Sequence, residues 1–296
     1  MPADAPREVA LIVNPSAGGG RAARALPAVE ARLRALGVAI EVDATRDLGH
    51  AAELATAAAR AGRVAVTLGG DGLIGCVAGA LREVPGAVLG VLPGGRGNDF
   101  ARVAGIPLDA EAACDVIAHG APRLLDMGEA GDTAYIGIAS LGFDSEANRI
   151  ANEAPARLGQ LVYVYGALRA LAGWKPAEFV LEVDGMRVPF SGWGVAMANN
   201  KAYGGGMFVA PDAELDDGQL DVIRLERTSK ARFLTHVLPK AFKGDHVHEP
   251  SVHSLRGSVV RVEADRPFVV YADGDPIGPL PMTFRALPGA VRVLLP

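Results

Sequence analysis

The sequence predicts two domains of different class. Residues 1–125 read as an α/β domain with a mostly parallel sheet, and residues 126–296 as a C-terminal, mainly antiparallel β-sandwich domain. Three observations carry this. Strand and helix patterns alternate through the first part as βαβαβαβ, which calls for a parallel sheet covered by helices. Past Pro122 alanine thins out, and Val, Phe, Tyr, Gly and Asp-Gly turns take over, so the boundary falls near residues 122–128. The length of 296 residues is at the limit of one hydrophobic core, because single cores stop growing near ~250–300 residues.

Each element follows from its local pattern. Val9–Val13 is an apolar run ending at Asn14-Pro15, a buried strand. Arg21–Leu36 has helical spacing and stops at Gly37; Val38–Val42 alternates like a strand. Gly49–Ala61 is an alanine-rich helix stopped by Gly62, and Val64–Leu68 is a β-branched strand before a glycine turn. Ile74–Glu83 reads as a helix, Ala87–Leu92 as a strand, and Asn98–Val103 and Ala110–His119 as short helices. In the second domain, Phe179–Val183, Asp184-Gly185 and Arg187–Phe190 form a hairpin pattern, since Asp-Gly favours the tight turn. Gly192–Ala198, Gln219–Glu226, Ser258–Glu263 and Phe268–Tyr271 are further strands, and Arg157–Leu171 and Lys230–Phe242 are helices.

Four polar loops stand at the ends of strands in the first domain. They are Asn14-Pro15-Ser16-Ala17-Gly18-Gly19-Gly20, Thr45-Arg46-Asp47, Gly69-Gly70-Asp71-Gly72 and Pro93-Gly94-Gly95-Arg96-Gly97-Asn98-Asp99. In an open α/β sheet, ligands bind at the carboxyl ends of strands. Glycines there let backbone N–H groups approach an anion, and the following helix adds its positive end. Glycines also simply make tight turns, but three such loops on one rim point to a phosphate-bearing ligand. No P-loop motif is present. Gly70–Gly75 fits G-x-G-x-x-G, yet it follows the third strand, and no acidic residue ends the next one. Asp71 instead suits a Mg²⁺-bound nucleotide, in which the metal offsets the phosphate charge.

These residues resemble the diacylglycerol kinase catalytic-domain family, which includes bacterial lipid kinases and sphingosine kinases. Val13-Asn14-Pro15-Ser16-Ala17-Gly18-Gly19 is similar to the family's nucleotide loop, and Gly69-Gly70-Asp71-Gly72 to its Gly-Gly-Asp-Gly signature. Pro93–Arg102 resembles its Asn-Asp-Phe-Ala-Arg segment except at Arg96. Gly204-Gly205-Gly206-Met207, Ala210-Pro211-Asp212-Ala213 and Asp216–Asp221 fit as well, and Asp273-Gly274-Asp275 stands where the family has Asp-Gly-Glu. The family usually has Thr at Leu73, Asn-Glu at Gly75-Cys76, Thr at Arg96 and Glu at Asp275.

The resemblance implies an ATP-dependent lipid kinase using Mg²⁺, with its active site in an interdomain cleft. Diacylglycerol is the type of acceptor implied. Asp71 would position Mg²⁺-ATP. Asn14, Pro15, Ser16, Ala17, Gly18, Thr45, Gly69, Gly70, Gly72, Gly94, Gly95, Arg96, Gly97, Asn98, Gly274 and Asp275 would hold the nucleotide. Asp273 would be the general base, and a separate structural Mg²⁺ is implied at Asp217 with carbonyls of Glu214 and Gln219. The last residues are expected to pack back on the first domain. Two alternatives stay open: a soluble-substrate kinase of the NAD-kinase type, and a non-catalytic nucleotide-binding regulator, which the departures at Leu73, Gly75, Cys76 and Arg96 allow.

Composition narrows the partners. Lys and Arg number 29 against 34 Asp and Glu, a net charge of −5, which argues against a general nucleic-acid binder. Cys76 and Cys114 cannot build a disulfide framework. With no signal-peptide pattern and no long apolar run, the expected place is the cytoplasm, with peripheral contact to the inner membrane face; a homodimer is left open. His246-Val247-His248-Glu249 reads as a polar loop. The stretch around Lys230–Lys243 is basic and amphipathic, with Pro239 expected to interrupt it. Arg157–Trp174 carries Leu161, Val162, Tyr163, Tyr165, Leu168 and Leu171, enough to line a lipid cleft, with packing the blander use.

Overall fold

The computed structural model describes residues 7–155, 158 and 161–296. The described chain divides into two compact units. One holds the residues up to Leu125 together with Gly289–Pro296, and the other holds Asp126–Pro288.

The first unit alternates strand and helix: β1 (Glu8–Val13), α1 (Ala17–Ala35), β2 (Ala39–Ala44), α2 (Leu48–Arg60), β3 (Val64–Gly69), α3 (Asp71–Leu81), β4 (Val88–Pro93), α4 (Asp99–Val103) and α5 (Ala110–His119). The strands pair in parallel in the order β2-β1-β3-β4, with Val9 opposite both Ile40 and Val64. The end of the chain adds a parallel strand beside β4, Arg292 opposite Val88. β1, β3 and β4 are apolar over nearly their whole length because both faces are covered. α2 meets its neighbours through Ala51, Ala55 and Ala58, all fully buried, so the small side chain sets a close approach. Asp47 caps α2 by accepting from the His50 amide at 2.8 Å, and Gly62 at φ 78° ends it. The order reverses between β1 and β3, which is where open α/β sheets bind ligands.

The second unit is built mainly of antiparallel strands: β5 (Ala121–Ala130), β6 (Thr133–Tyr135), β7 (Ile138–Gly142), β8 (Ala177–Val183), β9 (Met186–Ala198), β10 (Leu220–Glu226), β11 (Val252–Gly257), β12 (Val259–Ala264), β13 (Val269–Ala272), β14 (Asp275–Pro279) and β15 (Met282–Leu295). They run in the order β14-β13-β7-β9-β8-β12-β15, and β10 bridges β9 and β11. Phe179, Leu181, Val195, Met197, Val260 and Phe284 form one buried cluster. Phe143, Trp193, Ala196, Ala198, Phe233 and Val237 form another, against the helices α6 (Phe143–Glu153) and α7 (Leu161–Gly173). Within it, Phe143 lies 4.8 Å from Phe233 and 5.4 Å from Trp193 between ring centroids. Such pairs contribute ~0.5–1.5 kcal/mol each beyond burial.

Several expectations are corrected here. Arg187–Phe190 and Gly192–Ala198 are one strand of 13 residues, β9. It pairs with β8 up to Gly192 and with β7 and β10 beyond it. A Cβ at Gly192 would lie 2.5 Å from the Leu225 carbonyl, so glycine marks a close crossing and not a strand end. Arg157, the expected start of a helix, lies outside the described residues, as do Gly159 and Gln160; α7 covers the expectation from Leu161 to Leu171. Pro239 does not break its helix. α8 (Lys230–Arg232) passes into a π turn at Phe233–Val237 and on into α9 (Leu238–Ala241). The proline sits in the first turn of α9, and the turn before it is widened, with the Leu238 amide donating to the Phe233 carbonyl. His246 is buried in a 3₁₀ turn, Asp245–His248, and not in a solvated loop. Glu249 is buried too, and ion-paired to Arg232 and Lys240. Those two bonds hold its carboxyl at about 2.

Candidate functional site

The loops after β1, β3 and β4 are held to one another by backbone contact. Asn14 donates its amide to the Leu68 carbonyl at 3.1 Å, and its Oδ1 accepts from the Ser16 amide and hydroxyl at 3.1 and 2.8 Å. Thr45 donates to the Val13 carbonyl at 2.8 Å. The Gly94 amide donates to Gly69 at 2.7 Å. Asn98, at φ 52°, accepts the Gly95 amide on Oδ1 at 2.8 Å and so curls the fourth loop on itself.

The glycines explain the closeness. A Cβ at Gly18 would lie 2.5 Å from the Gly94 carbonyl, and one at Gly95 would lie 2.5 Å from the Gly70 Cα. One at Gly94 would lie 2.9 Å from the Ala22 Cβ. These glycines let three loops touch, a use that their spacing in the sequence does not display. The amides of Gly94 and Gly95 are engaged in the loops' own geometry. Gly95→Ala is therefore expected to push the third and fourth loops apart, costing about 1–3 kcal/mol of stability together with nucleotide affinity. Denaturant unfolding and ATP titration of the same preparation check this, and wild-type values for both would refute it.

Asp71 ties the third loop to the fourth. It opens α3, and its Oδ1 accepts the Phe100 amide at the start of α4 at 3.1 Å. Burial raises its carboxyl, against the opposing pull of backbone N–H groups led by that of Phe100. Sequence reasoning missed Arg21, which reaches from α1 to the Gly95 carbonyl at 2.7 Å. No local motif marks it, because its partner lies 74 residues along the chain.

A scan against family models matches residues 8–130 to the diacylglycerol kinase catalytic domain and residues 137–295 to the YegS C-terminal NAD kinase beta sandwich-like domain. A diacylglycerol kinase of Mycobacterium tuberculosis (strain ATCC 25618 / H37Rv) is 35% identical, over 98% of this chain and 95% of its own. The chain belongs to the diacylglycerol kinase family. A diacylglycerol kinase of Bacillus subtilis (strain 168) is 29% identical, over 97% of this chain and 95% of its own. The fold is that of a crystal structure of a diacylglycerol kinase from Bacillus anthracis str. Sterne, with a TM-score of 0.77 at 21% identity, covering 98% of this chain and 97% of that one. The two matched family domains account for both the parallel and the antiparallel part of the chain. Membership in this kinase family carries ATP use with it. Among the described residues, no helix is long and apolar enough to cross a membrane.

In the second unit of this family member, Asp273 sits between β13 and β14 at φ 49°. Its Oδ2 accepts the Ile136 amide and its Oδ1 the Gly137 amide, both at 2.9 Å. Gly137 leaves room for this, since a Cβ there would lie 2.4 Å from Oδ1. Gly274 takes φ 97° and its carbonyl accepts from Asn152 at 2.9 Å; Asp275 is exposed. Tyr135 is fully buried, and its hydroxyl has no hydrogen-bond partner among the described residues. Burial first, and the Asp273 charge second, push its ionisation well up.

The Asp217 loop is held from within. Asp217 Oδ1 accepts the Gln219 amide at 3.0 Å, and Gly218 donates to buried Asp126 at 2.6 Å. Asp217 Oδ2 is buried without a hydrogen-bond partner among the described residues, 3.5 Å from an Arg256 guanidinium nitrogen. Glu214 and Gln219 are exposed. No group of three or more His, Cys, Asp or Glu gathers for a metal among the described residues.

Sequence reasoning also passed over Asp144. It lines an apolar pocket with Phe143, Val164, Tyr203, Phe233 and Phe242. Burial lifts its carboxyl to about 6, while a hydrogen bond with Tyr203 works the other way. The folded state therefore binds this proton more tightly than the unfolded chain. Stability from this group grows as pH falls from about 6 toward the ordinary value of 3.8. Asp144→Asn is expected to be more stable than wild type above pH 6, with the difference shrinking through that window. Denaturation midpoints across the pH range decide it; a pH-independent difference would show Asp144 to be solvated.

Proposed function

We propose that this chain transfers the γ-phosphoryl group of ATP to the hydroxyl of a membrane lipid, with diacylglycerol as the acceptor. The observation that carries the reading is the hydrogen bond from the Phe100 amide to Asp71, which joins the Gly69–Gly72 turn after β3 to the Gly94–Phe100 loop after β4, next to the reversal between β1 and β3. The names of the relatives support the choice of acceptor.

Asn14, Pro15, Ser16, Ala17, Gly18, Thr45 and the two glycine loops, with Asn98, hold the nucleotide, and Gly274 and Asp275 add to it. Arg96 contributes a charge-assisted hydrogen bond to phosphate where the family has Thr. Asp71 would position Mg²⁺-ATP, whose metal would offset charge on the phosphates. Asp273 accepts the proton of the lipid hydroxyl as its oxygen bonds to the γ-phosphorus and the bond to the ADP oxygen breaks. Each Asp273 oxygen retains acceptor capacity beyond the one amide it meets. A further Mg²⁺ at Asp217, with carbonyls of Glu214 and Gln219, is supported by the orphaned Oδ2 and opposed by Arg256. The reaction takes place in the cytoplasm, at the membrane face.

The test offers radiolabelled ATP and Mg²⁺ with diacylglycerol in mixed micelles, with NAD, or with neither. Labelled phosphatidate is the expected product. NAD phosphorylated faster than diacylglycerol would replace this reading with a soluble-substrate kinase. ATP binding with no transfer to any acceptor would replace it with a regulator.

A further inference from the structure

We propose that Asn152, near the end of α6, is a positioning residue for Asp273, holding the turn that carries this carboxylate while it accepts the hydroxyl proton. This rests on the lipid-kinase reading, and the experiment below separates the two.

The first observation is how lightly the turn is otherwise held. Asp273 and Gly274, at φ 49° and 97°, form the tip of the hairpin between β13 and β14. β14 is the edge strand of its sheet, and its pairing with β13 shifts register between Val270 and Tyr271. β13 in turn meets β7 through Tyr271 opposite Ser140 and Ala272 opposite Ala139. A short hairpin on a sheet edge has few bonds to fix its tip, and such segments open at low cost. The Asp273 amide donates to the Ile138 carbonyl at 3.2 Å. The remaining anchors are the Ile136 and Gly137 amides on the carboxylate itself.

The second observation is that those two anchors depend on the charge that catalysis removes. A hydrogen bond to an ionised acceptor is about twice as strong as a neutral one. When Asp273 takes the proton its charge is gone, and both bonds weaken at the step where its position counts. Asn152 supplies a tie that does not change with that charge. Its Nδ2 donates to the Gly274 carbonyl at 2.9 Å, from 122 residues away in the chain.

The third observation is that Asn152 stands on a fixed support. α6 leaves directly from the end of β7, the strand that β13 pairs with. At its start Phe143 packs on Trp174, Trp193 and Phe233. A Cβ at Gly166 of α7 would lie 2.3 Å from the Ala147 carbonyl and 3.1 Å from the Ala151 Cβ, so the two helices touch up to the residue before Asn152. On the outer side Arg149 is paired with both Glu146 and Glu153. A side chain on a packed helix places its partner more precisely than one on a loop. No motif in the sequence marks Asn152, because its partner comes from a distant hairpin.

The full chain is assayed with ATP, Mg²⁺ and a water-soluble short-chain diacylglycerol, and amide hydrogen exchange is followed at Ile136 and Gly137. Asn152→Ala is expected to lower kcat by about 10–100-fold, the scale of a small misplacement of a reacting group. KM for both substrates should stay unchanged. Melting should not fall, since Asn152 is exposed and Ala is the better helix former. Exchange at the two amides should quicken. Asn152→Gln keeps the N–H donor and has room at an exposed position, so it should recover most of the lost turnover and slow the exchange again. Wild-type kcat in Asn152→Ala overturns the proposal, with or without faster exchange, because the bond is then a surface tie with no part in the chemistry. So does Asn152→Gln as poor as Asn152→Ala, or a raised KM with kcat unchanged, which would place Asn152 on the substrate. Should wild type phosphorylate no lipid, the lipid-kinase reading fails by itself. Exchange then decides whether Asn152 holds the turn: faster in Asn152→Ala keeps the tie, and unchanged overturns it.

Discussion

Asp71→Asn is expected to lower phosphoryl transfer by about 10²–10³-fold, the scale of removing one group that stabilises transition-state charge. The structure makes this substitution a clean one. An Asn side-chain oxygen can still accept the Phe100 amide that Asp71 accepts at 3.1 Å, so the third and fourth loops stay joined. Stability should not fall with activity. Burial raises the Asp71 carboxyl, so its charge is less favourable in the folded chain than in the unfolded one, and removing that charge should hold or raise the melting temperature. Turnover and melting of one preparation check both halves. Full activity would remove Asp71 from the chemistry, and a large loss of stability would reduce it to a structural tie.

Asp273→Asn is expected to lower kcat by about 10²–10⁴-fold, the usual contribution of a positioned base. Here the geometry changes how the test is read. Both carboxylate oxygens accept backbone amides, from Ile136 and Gly137. An Asn must turn its NH₂ toward one of them, which leaves a donor facing a donor at a cost of about 1–3 kcal/mol. Asp273→Asn should therefore lose both stability and turnover. Gly137→Ala separates the two. Its Cβ would crowd Oδ1 from 2.4 Å while leaving the charge in place. Turnover per folded molecule should fall much further in Asp273→Asn than in a Gly137→Ala protein of equal stability. Equal turnover in the two would make Asp273 a turn residue that staples β13 to the Ile136–Gly137 backbone.

The parallel part of the fold was legible because its signals are local. A run such as Val9–Val13 is apolar on both faces and can only be an interior strand, and Gly62 ends a helix wherever it falls. The antiparallel part was half legible. The Asp184-Gly185 hairpin announces itself, with Asp184 at φ 47° and Gly185 at φ 85°. β7, β11 and β14 do not, since their residues become strands only when a partner supplies hydrogen bonds. α6 is preceded by Gly142, whose φ of 89° and closeness to the Trp193 carbonyl, where a Cβ would lie at 2.4 Å, are invisible in a list of residues.

The sequence by itself determined which residues could bear phosphate chemistry: Asp71, Asn98 and Asp273 stand beside glycine turns, and a side chain's charge and a glycine's freedom are properties of the residue alone. Tertiary structure decided what each one touches. It spent Asn98 on the Gly95 amide, aimed Asp71 at Phe100, set both oxygens of Asp273 on a distant turn, brought Arg21 to Gly95 and sank Asp144 into an apolar pocket. Each of those outcomes depends on burial and on partners far along the chain, and neither is a property of any local run of residues.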